Sequence, residues 1–410
     1  MLTRIARLMM VIVVIFVAAI YLPEFYWKIF DKNIRTPQVY YSTLTQQFML
    51  GHHDGEKYVM SDQSGREYSR DEFERTLPLI HYRQLTLNGE FPEKIQGREM
   101  VLEEIRLNNL MDRIKPYTLD SPQIDLYPLF ESKSGRVNLE MPAEMFRIRE
   151  RMEFIDAVSN RVNEELSAAF SDALIARGFT FPAQLICGNP STRKPFDEGY
   201  FVVDGANQVF QIKMIQGEPF CVNTGIPANL DIRRIIIKEM NLREFYGTLI
   251  TEDSRVFLIS YDNYRLIELP LTSYKLDQTN LFWMGNIFYR TFSQINEGSI
   301  HTVVTDRNYQ VIDEYRETWE TNADRAAGKI AKILFPFTIS LTDESSVYVD
   351  TYWEFSGLAG LIGMVLFLGL HILIVRFRKK RLIPANLLIV GATGLYGLIA
   401  VNIFKSIIED

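Results

Sequence analysis

Three stretches of the chain contain no Asp, Glu, Lys or Arg: Leu8 to Leu22, Phe355 to Val375 and Pro384 to Phe404. The last two are 21 residues each. As helices rising about 1.5 Å per residue, each would span about 30 Å, the thickness of a bilayer core. The pattern therefore predicts three transmembrane helices. Between the first and second run the texture is that of an ordinary folded domain. Pro142 to Arg177 places Met145, Ile148, Met152, Ile155, Ser159, Val162, Leu166, Ala169, Ala173 and Ala176 at spacings of three and four, with Ser159 as the one polar position. Pro142 suits a first helical turn and Gly178 a C-terminal cap. This predicts one long amphipathic helix, packed on its own domain rather than on a second copy.

After Gly178 short apolar strands alternate with turns. Phe201-Val202-Val203 and Val209 to Ile212 flank Asp204-Gly205; Val256 to Ile259 and Arg265 to Ile267 flank Asp262-Asn263. Thr302 to Val304 and Gln310 to Ile312 flank Asp306; Ile339 to Leu341 and Val347 to Val349 flank Asp343 to Ser345. Turn acids separated by 58, 44 and 37 residues resemble blade spacing in a loose way. An earlier hairpin is expected around Asp62 to Gly65. The expected fold class is membrane-anchored α+β: a large β-rich extracytoplasmic domain of hairpin meanders, propeller-like in spacing, with one long helix and three transmembrane helices. The divisions are 1–7 (cytoplasmic), 8–22 (anchor, or signal-peptide core with Val17-Ala18-Ala19 as cleavage site), 23–140 (mixed), 141–178 (long helix), 179–354 (β-rich), 355–375 (transmembrane), 376–383 (basic loop), 384–404 (transmembrane) and 405–410 (outer tail).

Charge sets the sidedness. Arg376, Arg378, Lys379, Lys380 and Arg381 separate the last two runs, and Arg4 and Arg7 precede the first with no acid beside them. Short basic flanks remain cytoplasmic, so residues 23–354 are expected outside. That portion keeps 36 of the 44 Lys+Arg and 49 of the 51 Asp+Glu, a net charge of −13. Such a surface excludes general nucleic-acid binding. Cys187 and Cys221 both fall outside; an oxidising compartment permits a disulfide between them, the alternative being two separate buried thiols.

Few residues suggest chemistry. A phosphate-binding G-x-x-x-x-G-K-[ST] loop, a G-x-S-x-G elbow, an H-E-x-x-H pair and a C-x-x-C pair are all missing from the sequence. His52, His53 and Asp54 form the most metal-like run, although adjacent strand residues point to opposite faces, and a solvated turn is the plainer reading. Arg193, Lys194, Asp197 and Glu198 read as a surface ion-pair group, with a ligand clamp as the alternative. Gly357, Gly360 and Gly363, and then Gly391, Gly394 and Gly397, form stripes that admit another backbone, either across a helical hairpin or from another subunit. His371 is the sole ionisable side chain in the last two runs, which offers no evident proton relay. No cofactor is expected.

Several phrases taken together carry a family likeness: Leu129-Phe130-Glu131-Ser132 with Gly135-Arg136-Val137, Met141-Pro142, Phe181-Pro182, and Cys187-Gly188-Asn189-Pro190 leading to Lys194-Pro195-Phe196-Asp197-Glu198-Gly199-Tyr200-Phe201. In these the chain resembles an uncharacterised family of Bacteroidetes membrane proteins, often encoded beside ABC-transporter ATPase and permease genes. The resemblance implies a non-enzymatic accessory or assembly subunit whose partners are the permease, the ATPase and the lipid bilayer, with no catalytic residues to carry over. The alternatives are an extracytoplasmic metal-dependent hydrolase and a partner-dependent envelope sensor.

Overall fold

The computed structural model describes residues 2–31, 36–54, 57–120, 123–341 and 351–404. They divide into two compact units: Thr36–Glu317, and the pair of segments Met1–Arg35 and Thr318–Asp410.

The chain opens with α1 (Leu2–Phe30), followed by β1 (Gln38–Tyr41), β2 (Phe48–Asp54) and β3 (Lys57–Asp62), paired in that order as sheet I. Next come α2 (Arg70–Thr76), α3 (Tyr82–Asn88), the ribbon β4 (Lys94–Ile95) and β5 (Arg98–Glu99), α4 (Leu102–Asn108), β6 (Leu110–Ile114) and α5 (Pro116–Asp120). Sheet II contains β7 (Tyr127–Pro128), β8 (Glu144–Ile148), β9 (Met152–Asp156) and β10 (Val162–Asn163), and α6 (Glu164–Ala176) follows it. Sheet III is β11 (Leu185–Gly188), β12 (Tyr200–Val203), β13 (Val209–Ile215) and β14 (Glu218–Asn223). Sheet IV is β15 (Ile232–Ile237), β16 (Phe245–Thr251), β17 (Val256–Ser260) and β18 (Leu266–Glu268). Sheet V combines β19 (Asn280–Gly285), β20 (Arg290–Asn296), β21 (Ser299–Thr305) and β22 (Val311–Thr318) with β6, which pairs antiparallel with β19.

The alternation of side chains across each strand builds the layers. Tyr200, Val202 and Phe210 of sheet III pack with Phe146, Phe154 and Phe170 of sheet II and α6. Phe201 and Val203, on the other face, pack with Ile235, Leu249 and Ile259 of sheet IV. Ile250 and Leu258 of sheet IV then meet Leu281, Trp283 and Phe292 of sheet V. Covered on both faces, the middle strands β16 and β17 are buried at every position, from Phe245 to Thr251 and from Val256 to Ser260, which is why they read as nearly continuous apolar runs. The meanders are thus blade-like and stack II–III–IV–V. Among the described residues no hydrophobic cluster joins sheet II to sheet V, so the stack stays open and the propeller expectation is not met.

The long helix over 141–178 is also corrected. Only α6 is helical there; its N-cap Asn163 accepts the Leu166 N–H. Residues 144–156 form a hairpin in which Phe146, Ile148, Met152 and Phe154 all point inward. Two period-two strands around a three-residue turn imitate spacings of three and four. Ser167 and Ser171, buried on α6, accept the backbone N–H groups of Phe154 and Met152 at 2.9 and 3.1 Å, fastening helix to hairpin.

The second unit consists of α1, α7 (Ala326–Leu334), the ribbon β23 (Phe337–Leu341) and β24 (Thr351–Phe355), α8 (Gly357–Phe377), α9 (Pro384–Thr393) and α10 (Leu395–Ile403). The expected turn at Asp343 to Ser345 and strand at Val347 to Val349 lie outside the described residues; the observed partner of β23 is β24. Among the described residues two helices are long and apolar enough to cross a membrane, Ile5–Phe30 and Gly357–Phe377. The expected third span is absent as a single helix. Gly394, at φ 58° and ψ −124°, ends α9 and starts α10. A side chain on Gly397 would meet Thr393, Ile389 and Val390. In a straight helix residues seven and eight apart lie about 10–12 Å apart, so the run folds back on itself as a helical hairpin. Arg7 closes its open end: Nε donates to the Phe404 carbonyl at 2.8 Å and Nη2 to Asn386 Oδ1 at 3.0 Å. Tyr396, at the turn end, is fully buried and donates to the Phe337 carbonyl at 2.7 Å.

The glycine stripes have local partners. A Cβ on Gly363 would strike the Ile333 carbonyl, and one on Gly360 would meet Pro336, so this stripe receives the end of α7. Gly391 lies against Leu368, and Gly394 against Pro336 and Met364. Gly357 opens α8 at φ 57° with free space around it. The second stripe thus packs across the hairpin of the last two runs onto α8, as one of the two readings expected, while the first receives α7 instead.

Candidate functional site

The loop that connects β11 to β12 carries Arg193, Lys194, Asp197 and Glu198. Lys194 lies inside it, with a side chain only 3 % exposed. Its ammonium donates to Asp197 Oδ1 at 2.6 Å, Glu239 Oε1 at 2.8 Å and the Asn189 carbonyl at 2.7 Å, which uses all three protons. Asp197 Oδ2 accepts from Ser132 Oγ and the Gly199 N–H, and Glu239 Oε2 accepts from Asn189 Nδ2. Next in the chain, Glu198 takes the Lys213 ammonium and the Tyr261 hydroxyl. Burial, and then the Glu198 charge, push the Tyr261 hydroxyl above its ordinary range, so it remains a donor. Gly199 has φ +67°, and any Cβ there would strike the Ile212 carbonyl. Tyr200 then donates to the Pro128 carbonyl from the core between sheets II and III. Every polar group of Lys194 is satisfied internally, so this centre braces the sheets and has no free valence for a ligand. The surface ion-pair expectation is corrected: Lys194, Asp197 and Glu198 are buried, and only Arg193 is exposed.

A second centre opens to solvent at the ends of sheets IV and V. Glu244 accepts from Arg290 Nη2 at 2.6 Å, Arg307 Nη2 at 3.0 Å and the Tyr309 hydroxyl at 2.6 Å. Arg290 is wholly buried, and its Nε has no hydrogen-bond partner among the described residues. Arg307 also donates to Asn108 Oδ1 at 2.7 Å. Burial, then the neighbouring Arg290 charge, lower the proton affinity of Arg307. Beside this group is a cavity of about 600 Å³ lined by Arg98, Arg265 and Arg307, Glu244 being the single acid in its wall among the described residues.

A third centre surrounds His301, buried on β21. Ser273 Oγ lies 2.9 Å from Nδ1, and Glu314 Oε2 lies 3.0 Å from Nε2. Gln294 fixes the tautomer. Its Oε1 accepts the Ser273 N–H at 2.8 Å, so its Nε2, 3.2 Å from Nδ1, must donate there. Nδ1 is then an acceptor and Nε2 carries the proton toward Glu314. The His301 hydrogen bond, and then that of Arg316, hold Glu314 below the usual carboxylate range. Ser273, His301 and Glu314 thus stand as nucleophile, base and orienting acid would. The Ser273 N–H, tied to Gln294, cannot serve an oxyanion.

The family described as Domain of unknown function (DUF4857) matches residues 38–305. The chain belongs to the DUF4857 family. No curated protein matches it significantly. The DUF4857 match runs from the start of sheet I to the end of β21 and so contains the buried Lys194 centre.

Within the DUF4857 region the residues singled out from sequence fall apart. His52 pairs with Val59 and His53 with Tyr58 on β2, so their side chains leave opposite faces of the strand. The Asp54 side chain lies outside the described residues. Among the described residues no group of three or more His, Cys, Asp or Glu is placed to hold a metal. Cys187 and Cys221 are free thiols on the outer strands of sheet III, with two strands between them. That spacing is roughly 14 Å, where a disulfide needs Cα atoms about 4.4–6.8 Å apart. They also face different cores, so the two-thiol alternative holds. Of the topology residues, Arg7 clasps the hairpin, the Arg4 side chain lies outside the described residues, and Arg376 sits in the last turn of α8, where a cation suits the helix dipole. Arg378, Lys379, Lys380 and Arg381 continue from that end toward Pro384. The arginine cavity and the Ser273 group had no local signal: their members come together from up to 209 residues apart, as Arg98 and Arg307 do.

Proposed function

We propose that this chain is a membrane-anchored accessory subunit of an inner-membrane complex of ABC-transporter type, presenting a ligand- or partner-binding domain on the periplasmic side. The observation that carries the reading is the helical unit. It offers two helices of membrane-crossing length and leaves Leu358, Leu361, Ile362, Val365, Leu366 and Leu373 of α8 exposed, a surface suited to lipid or a permease helix. Basic residues at both ends of the apolar segments set the sidedness by the positive-inside rule. Ala18 and Ala19 pack against Phe335 and Tyr396, which favours a retained anchor over a cleaved signal. The gene association implied by the family resemblance supplies the transporter type. Isolation of the tagged full chain in a mild detergent should bring down a permease and its ATPase. Repeated recovery of the chain alone would overturn the reading.

A second reading, an outward-facing hydrolase, is supported by the Ser273–His301–Glu314 arrangement rather than by the histidine pair. A fluorophosphonate probe that labels wild type but not Ser273→Ala would support it, and absence of labelling would remove it.

A further inference from the structure

We propose that the cavity walled by Arg98, Arg265, Arg307, Ile267, Ile287 and Tyr309 binds a small organic anion, a carboxylate or phosphate ester on an apolar body. This rests on the reading of the sheet domain as a ligand-binding one and names its ligand class.

Charge is the first argument. Three guanidinium groups line the cavity against one carboxylate, in a portion of the chain whose net charge is −13. That carboxylate is spent. Glu244 already receives two guanidinium groups and a phenol, so Arg290 alone balances it and the charge of Arg307 is left over. An anion placed there would relieve it.

Availability is the second. Arg98 pairs with Glu104 at 2.8 Å, with both side chains about half exposed, and Arg265 approaches Asp262 at 3.6 Å with both largely exposed. Exposed pairs of this kind contribute little, so both arginines can turn to a ligand at small cost. Arg307, by contrast, is fixed by Asn108 and Glu244 and offers a preset fork. Size and wall chemistry are the third. About 600 Å³ falls in the ordinary range for small-molecule sites. Ile267, Ile287 and the Tyr309 ring add apolar lining beside the arginines, which favours an anion with an organic body over a bare inorganic one.

The test is calorimetric titration of the full chain in detergent with phenyl phosphate, benzoate and inorganic phosphate, at low and at high salt. The expected result is saturable binding of one phenyl phosphate or benzoate per chain, weakened by salt. Inorganic phosphate should bind roughly tenfold more weakly. Arg98→Gln with Arg265→Gln should weaken the organic anions by roughly tenfold while the melting temperature of the unliganded protein stays unchanged. A short-chain phosphatidic acid binding better than phenyl phosphate would identify a lipid headgroup as the source; the reverse order would identify a soluble metabolite. No saturable binding at millimolar concentration, or equal binding by the double variant, overturns the proposal. Co-isolation of a permease without anion binding would leave the accessory reading standing and remove this one; anion binding without a partner would do the opposite.

Discussion

Replacing Lys194 with Met tests the account of the charged loop most directly. The methionine fills nearly the same space, so the perturbation is electrostatic. In the wild type one ammonium meets two carboxylates whose side chains are 0 % exposed. Removing it strands Asp197 and Glu239 beside each other, each keeping only its remaining neutral donors. Breaking a buried ion pair from one side costs about 3–5 kcal/mol. For a unit of this size each kcal/mol moves the midpoint by about 2–4 °C, so the melting temperature should fall by on the order of 10 °C. The assay is thermal unfolding of the full chain in detergent, followed by the fluorescence of Trp283, which lies in the core between sheets IV and V. Adding Asp197→Asn to the variant should recover part of the loss. Arg136→Ala, which breaks an exposed pair with Glu140, should leave the midpoint where it was. A Lys194→Met midpoint within a degree or two of wild type would refute the buried-brace reasoning.

Three further outcomes follow from the geometry. With both native thiols buried, cysteines introduced singly as Ile383→Cys and Ile403→Cys should react with an impermeant maleimide from the same face of the membrane, because both ends of the α9–α10 hairpin lie by Arg7; labelling from opposite faces would restore a straight span. Gly363→Leu should abolish accumulation of folded protein, since its side chain would enter the Ile333 carbonyl, whereas Gly369→Leu, with open space around it, should accumulate normally. Burial raises the proton affinity of both native thiols, that of Cys221 to about 12, so thiolate at about pH 8 is scarce and a disulfide-exchange reagent should react only after denaturation; rapid reaction of the folded chain would contradict their placement.

The sequence was most legible where one period acted alone. The hairpins at Asp204, Asp262 and Asp306 lie where turn acids flanked by short apolar strands put them, as β12–β13, β17–β18 and β21–β22. It misled where two local patterns added up to a third: the β8–β9 hairpin followed by α6 has the apolar spacing of one long helix, and the two fully buried residues that betray it, Phe146 and Phe154, fall between the positions such a helix would bury. The charged loop shows another blind spot. Lys194, Asp197 and Glu198 in a connection between strands suggest solvent until their partners are known, and those partners, Glu239, Lys213 and Tyr261, stand 45, 15 and 63 residues away. The family phrase from Lys194 to Phe201 gains a physical reason from this. Lys194 and Glu198 tie the phrase to Glu239 and Tyr261 beside sheet IV, Gly199 lets it approach β13 within sheet III, and Tyr200 reaches Pro128 of sheet II.

The third apolar run carries the same lesson into the membrane unit. Its composition suits a straight helix and a folded hairpin equally, since both bury the same side chains in the same surroundings. What separates them is the backbone. A hairpin leaves carbonyls unpaired at the end of its second limb, and such groups are costly away from water. Arg7 meets that need: one guanidinium reaches the Phe404 carbonyl and the Asn386 amide oxygen together, tying the two limbs. In a straight span these two atoms would lie about 27 Å apart, and no single side chain could reach both. The residue that served as a marker of sidedness is therefore also the clasp of the fold. If Arg7→Leu left the hairpin ends labelled as in wild type and the chain equally stable, the clasp would be dispensable and the case for a folded-back run would rest on Gly394 and Gly397 alone.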